Sequence, residues 1–115
     1  MNIEELREFC LKLPKATEDI KWGADLCFCI GEKMFCVAGL EQPSGISFKV
    51  RDEEFDELSA RDGFMPAPYV ARYKWVYLKD ISKIKRKELE HYIKQSYELI
   101  RDKLPAKTKK SLGLK

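Results

Sequence analysis

Three short apolar runs near the middle of the chain are joined by connections too short for anything but antiparallel pairing. Ala24, Leu26, Phe28 and Ile30 alternate with Asp25, Cys27 and Cys29, the period of two that marks a strand. Gly31-Glu32-Lys33 turns the chain and Met34 to Ala38 returns, so a β-hairpin is expected. Glu41 to Gly45, with Pro43, makes a second turn before the strand Ile46-Ser47-Phe48-Lys49-Val50. Parallel strands need a crossover of about a dozen residues or more. An antiparallel meander is therefore expected.

Helical patterns surround it. Ile3, Leu6, Phe9, Cys10 and Leu13 recur at helical spacing over residues 3–13, with Asn2 as N-cap and Pro14 as the stop. Asp52 is expected to cap a short acidic helix over about residues 53–61, with Phe55 and Leu58 turned inward. Residues 62–73 carry Gly63, Pro66 and Pro68 and are expected to be irregular at least in part. Tyr73 to Leu78 reads as an aromatic-rich strand. The longest helix is expected over about residues 84–104, where Leu89, Ile93, Ser96, Tyr97, Ile100 and Leu104 make one face, and Pro105 ends it. The order is then α, three β, α, β, α. This is an α+β domain with helices packed on an antiparallel β-sheet, spanning residues 1–115, with a basic C-terminal tail over about 105–115.

A chain of 115 residues can bury a core without disulfides or metals. Charge is unevenly spread along it. Residues 1–71 hold eight Lys/Arg and fourteen Asp/Glu, a net of −6, whereas residues 72–115 hold fourteen Lys/Arg and five Asp/Glu, a net of +9. Such asymmetry points to a polyanion partner if it survives folding, and to nothing if the halves interleave. No run reaches the ~18 apolar residues of a membrane span. Met1-Asn2-Ile3-Glu4-Glu5 is acidic and lacks an apolar export segment, so a cytoplasmic protein with reduced cysteines is expected.

Classical catalytic and metal patterns fit poorly. Cys10, Cys27, Cys29 and Cys36 include one close pair, Cys27-x-Cys29, which lies mid-strand rather than on a turn. Structural zinc sites use two close pairs, so the cysteines are expected to pack in the interior. His91 is the one histidine and falls away from the apolar face of the last helix, with no Ser-His-Asp or Cys-His spacing around it. The acidic run Asp52-Glu53-Glu54-Phe55-Asp56-Glu57 splays around a helix, whereas calcium needs about six to eight convergent oxygens. Neither glycine-rich phosphate loop is present. We therefore expect no enzyme, no cofactor and no metal.

Two features suggest binding. Lys83, Lys87, Lys94 and Arg101 recur at spacings of four, seven and seven, a basic stripe along the last helix that Lys103, Lys107, Lys109 and Lys110 prolong. Lys/Arg arrays of this kind bind phosphates; the plain reading is helix solvation, with Glu90 and Lys94 as an i,i+4 pair. In Tyr69-Val70-Ala71-Arg72-Tyr73-Lys74-Trp75-Val76-Tyr77, rings interleave with cations. On a strand Tyr73, Trp75 and Tyr77 would share one face, either stacking on a ligand or filling the core. Trp75 is expected in the core.

Several stretches together resemble the MmcQ/YjbR family. They are Thr17-Glu18-Asp19 with Trp22-Gly23; Gly31-Glu32-Lys33-Met34-Phe35; Ile46-Ser47-Phe48-Lys49-Val50; Pro68-Tyr69 leading to Lys74-Trp75-Val76; and Ser96-Tyr97-Glu98-Leu99-Ile100 running to Lys103-Leu104-Pro105. The resemblance implies a frataxin-like (CyaY-like) sandwich and a DNA-binding role of the double-wing type. Lys33, Tyr69, Arg72, Lys74, Trp75, Ser96 and Tyr97 match the recurrent motif. Many members carry a His shortly before the motif Trp; here Tyr73-Lys74 stands in its place, so no imidazole role carries over.

The expected function is a monomeric, non-catalytic module that binds DNA or another polyanion through phosphate contacts without base specificity. Lys33, Tyr69, Arg72, Lys74, Lys83, Lys87, Lys94 and Arg101 are its candidate contacts. The alternative is a small-molecule or protein-binding module using a cleft near Tyr69, Arg72 and Trp75.

Overall fold

Asn2 starts α1 (Ile3–Lys12) through a reciprocal cap: its side-chain oxygen accepts the Glu5 N–H at 2.9 Å, and the Glu5 carboxylate accepts the Asn2 N–H at 3.0 Å. The computed structural model describes residues 1–21, 23, 25–41 and 44–114, so the expectations placed on Trp22, Ala24, Pro43 and Lys115 lie outside the described residues. After α1 come β1 (Thr17–Lys21), β2 (Asp25–Ile30), β3 (Lys33–Gly39) and β4 (Ile46–Lys49). Then follow α2 (Asp52–Ala60), β5 (Phe64–Pro66), β6 (Trp75–Leu78), α3 (Arg86–Asp102) and α4 (Ala106–Ser111). The strands form one sheet in the order β1-β2-β3-β4-β6-β5, antiparallel at every pairing. This is the expected α+β architecture with two additional edge strands.

The helices all lie on one face of the sheet. Leu6 and Cys10 of α1, Leu58 of α2, and Leu89, Ile93 and Tyr97 of α3 join Leu26, Phe28, Ile30, Ile46, Phe48, Val76 and Leu78 of the strands in a single buried cluster. Burying a side chain of this size contributes about 1.5–3 kcal/mol. The register slips between β2 and β3: Phe28 pairs with Cys36, but Cys29 pairs with Met34. Phe35 is thus the extra residue of a bulge, and both Phe35 and Cys36 enter the core. The Phe35 ring meets Tyr97 edge-on at 5.4 Å. Tyr97 in turn donates its hydroxyl proton to the Pro14 carbonyl at 2.6 Å, tying α3 to the end of α1.

Several boundaries differ from the sequence reading. Asp52 is the first residue of α2 rather than its cap; Arg51 precedes it and donates its N–H to the Glu54 carboxylate at 3.2 Å. Tyr73 is not on β6. It ends a 3-10 turn, Ala71–Tyr73, because Lys74 takes a left-handed backbone with φ of 67° and the strand starts only at Trp75. The last long helix is shorter at both ends than residues 84–104, which leaves Lys83 on a separate 3-10 turn, Ile81–Lys83. The basic tail is partly ordered as α4. Leu104 is buried, and a Cβ on Gly31 would stand 2.9 Å from Leu104 Cδ1 and 3.0 Å from Thr108 Cγ2. Gly31, with φ of 57°, therefore both turns the hairpin and lets the C-terminal segment seat on it.

Among the described residues, three ion pairs join elements. Arg7 grips the Glu18 carboxylate at 3.0 and 2.6 Å, between α1 and β1. Arg61 grips Glu88 at 2.8 and 2.9 Å, between the end of α2 and the start of α3. Arg86 pairs with Glu5, between α3 and α1. No helix among the described residues is long and apolar enough to cross a membrane.

A candidate binding cleft on the open face of the sheet

The face of the sheet opposite the helices carries a continuous rung of side chains. Asp19, Cys27, Val37, Ser47, Tyr77 and Met65 lie opposite one another across all six strands. Cross-strand partners share a face, so Cys27 and Cys29 lie here while Cys10 and Cys36 lie in the core. The four thiols are thus divided between two sides of the sheet. Burial pushes the Cys27 thiol up to about 11, helped by the neighbouring Cys29. Burial also raises Cys10, more strongly, with Cys36 beside it.

One segment folds over this face. Residues 67–74 leave β5 and return to β6, anchored by backbone bonds at both ends. Ala67 N–H donates to the Trp75 carbonyl at 3.1 Å, and Val50 N–H donates to the Lys74 carbonyl at 2.9 Å. Within it, Tyr73 N–H reaches the Val70 carbonyl at 3.0 Å and Lys74 N–H reaches Ala71 at 2.9 Å. Tyr69, like Lys74, holds a left-handed backbone, with φ of 70°. A non-glycine residue with positive φ is uncommon and often marks a functional turn.

Between this segment and the strands is a cleft of about 540 Å³. Trp75, Ser47, Val37, Met34 and Asp25 line it from four strands, and Pro68, Tyr69 and Val70 line it from the overlying segment. The lining is mostly apolar, with the Asp25 carboxylate and the Ser47 hydroxyl as polar groups. Trp75 is only 7% exposed. It is buried as expected, but on the helix-free face and outside the main core cluster. Tyr69, at the rim, is 98% exposed. A cleft of this volume and character suits a small organic ligand.

Three cations neighbour Trp75 without lining the cleft. Lys49 pairs with Trp75 across β4 and β6, so its stem lies on the same face. Its ammonium donates to the Tyr73 carbonyl in the overlying segment. Burial holds the Lys49 ammonium below the ordinary lysine range, and the nearby Lys103 and Lys74 cations push it the same way, against Asp52. Arg72 stacks on the Tyr73 ring at 4.8 Å, and Lys74 places its ammonium 5.0 Å from the Phe55 ring of α2. Lys49 is the residue the sequence does not single out here; its signal is its place opposite Trp75, visible only once the register is known.

The helix stripe is not one surface. Lys83 and Lys87 gather with Lys85 around a shallow hollow at the start of α3, where the acidic neighbour Glu88 is held by Arg61. Lys94 is exposed midway along α3. Arg101 lies about 21 Å beyond Lys87 at 1.5 Å per residue, bonded to Asp102 at 3.1 Å and over the Tyr97 ring. Arg86 is engaged with Glu5 and Glu90. The surface around α3 is thus of mixed sign. Lys33 is exposed at the β2–β3 hairpin, and of the candidate contacts only Tyr69 lines the cleft. His91 is exposed and stacks edge-on with Tyr92 at 5.4 Å.

Comparison with known proteins agrees with this architecture. Residues 11–99 match the family model described as YjbR. The fold is similar to that of Deinococcus radiodurans protein DR2400, a DUF419 domain, with a TM-score of 0.87 and 24% identity over 99% of this chain and 89% of that one. It is also similar to a Pseudomonas syringae protein, with a TM-score of 0.73 and 19% identity over 87% of this chain and 99% of that one. No curated protein matches the sequence.

Proposed function

The chain belongs to the YjbR family, and from the geometry of its sheet we propose that it is a non-catalytic binding module whose site is the cleft beneath residues 67–74. The observation that carries this reading is the cleft of about 540 Å³ floored by Trp75, Val37 and Ser47 and roofed by Pro68, Tyr69 and Val70. Its volume falls in the range of small-molecule sites, about 300–1,000 Å³, and its few polar groups suit orientation rather than bond breaking. The test is an amide-resonance titration with uncharged indole. Shifts concentrated at Val37, Ser47 and Trp75, and lost in Val37→Glu, support the reading. Shifts scattered over the surface, or none at millimolar indole, overturn it.

A second reading is a polyanion-binding module, DNA included. Lys83, Lys85 and Lys87 around the hollow at the start of α3 favour it, since Glu88 there is already committed to Arg61. Contacts of this kind reach phosphates and carry no base code. Replacing Lys83, Lys85 and Lys87 together by Gln should lower the salt needed to elute the protein from heparin and weaken all duplex sequences alike, with the salt dependence falling by about 0.9 per lost contact. Replacing Lys94 and Arg101 should do neither. Equal elution of both variants and the parent removes this reading.

A further inference from the structure

Asp25 is the one charged side chain that lines the cleft among the described residues. Lys49 lies just outside the lining, on β4, where the strand register sets it opposite Trp75 on the same face of the sheet. Lys49 makes no ion pair among the described residues; its ammonium donates to the neutral Tyr73 carbonyl. An ammonium has three donors, so one bond to Tyr73 leaves two for a ligand. Arg72, exposed on the segment above, makes no ion pair among the described residues and lies over the Tyr73 ring. We propose that the ligand is a flat apolar or aromatic acid, its ring body against Trp75 and its carboxylate or phosphate on the Lys49 ammonium. This rests on the cleft being the binding site.

Chemical complementarity favours this class over the others. An apolar body removes the half-buried Val37 and Met34 surfaces and the remaining exposed edge of Trp75 from water, the main favourable term in such a site. An anion at Lys49 relieves the crowding of that ammonium by Lys103 and Lys74, which Asp52 alone opposes. A cationic ligand would have to reach Asp25 from the same body position while adding a further positive charge near Lys49. A neutral ligand would leave Lys49 as it is. A charge-assisted hydrogen bond in a partly desolvated site raises affinity about tenfold or more.

Three isosteric probes separate the possibilities: 2-naphthoate, 2-naphthylmethanol and 2-naphthylmethylamine, titrated by calorimetry with the Val37 and Ser47 amide resonances as the location control. The expected result is that naphthoate binds at least about tenfold more tightly than the alcohol. Lys49→Met, which keeps most of the stem, should bring the acid down to the level of the alcohol while leaving the alcohol unchanged. If acid and alcohol bind the cleft equally, the cleft reading stands and the acid assignment falls. It also falls if the amine binds most tightly, or if Lys49→Met leaves naphthoate binding intact. If no probe perturbs the cleft amides, both fall together. A melt of Lys49→Met without ligand, expected within a few degrees of the parent, confirms that the variant reports on binding.

Discussion

Ser96 completes the sheet at the point where Phe35 interrupts it. The bulge at Phe35 leaves β3 and β4 without a regular rung beyond the Cys36–Phe48 pair. Into that gap α3 inserts the Ser96 hydroxyl, which donates to the Phe35 carbonyl at 2.6 Å and accepts the Lys49 N–H at 2.9 Å. A single buried side chain thus fixes the helix height over the sheet and the backbone of Lys49.

Ser96→Ala leaves two backbone groups unpaired in the interior. Each such group costs about 1–3 kcal/mol, so the variant should lose about 2–6 kcal/mol, a large share of the roughly 5–15 kcal/mol typical of a domain. Urea denaturation measures it. A loss below about 0.5 kcal/mol would show that water replaces the hydroxyl without cost.

Gly45 and Tyr77 should behave as a coupled pair. A Cβ on Gly45 would stand 2.1 Å from the Tyr77 hydroxyl oxygen and 2.6 Å from Cζ. Gly45→Ala should therefore cost about 1–3 kcal/mol through overpacking. In a Tyr77→Ala background the same change should cost much less, giving a coupling of about 1 kcal/mol or more. Additive effects in the double-mutant cycle would mean that the ring swings aside freely.

Trp75 should move stability and binding together. Its ring is buried but belongs to the cleft floor. Trp75→Ala should cost about 3 kcal/mol, the lower end of large aromatic truncations, and should also abolish binding of indole. Trp75→Phe should keep most of both. A Trp75→Ala protein that melts like the parent would place the ring outside any packed environment.

The thiols set an alkaline limit. The unfolded chain ionises its cysteines near pH 9.0, whereas burial keeps Cys27 protonated to about 11. Cys10 is pushed up further in the same direction. A raised folded-state pKa means the unfolded chain loses protons first, so stability is fully present below pH 9 and falls as pH rises from 9 toward 11. Chemical denaturation at pH 8, 9.5 and 10.5 measures the slope. At pH 8 a thiol reagent should leave Cys10 and Cys36 unmodified in the folded protein and label all four cysteines in urea.

The meander and α3 were legible because their burial is one-sided or strongly periodic. β1 was not: Thr17-Glu18-Asp19-Ile20-Lys21 has no buried residue, and its strand state comes from pairing with β2. Charged side chains on such an edge also discourage further strand addition. β5 is three residues ending in Pro66, too short to show a period. α4, Ala-Lys-Thr-Lys-Lys-Ser, has no apolar stripe and forms where Leu104 docks on Gly31. Tyr73 was placed on a strand face because a left-handed Lys74 leaves no mark in composition. The cleft went half seen for a related reason. Its residues come from four strands and one loop, and sequence proximity joined Arg72 and Lys74 to Trp75 while register brought Lys49, Val37 and Ser47.

The way residues 67–74 are fastened separates inheritance of shape from inheritance of taste. The anchors at Ala67, Trp75, Val50 and Lys74 are backbone to backbone, and the cleft lies outside the core that holds the helices. Pro68, Tyr69, Val70 and Arg72 can therefore be exchanged for other residues with little effect on folding, provided the left-handed turns at 69 and 74 are kept. Descendants of such a chain can diverge in what they recognise while remaining superimposable, and the same eight residues offer a replaceable cassette for building new specificities on an unchanged frame.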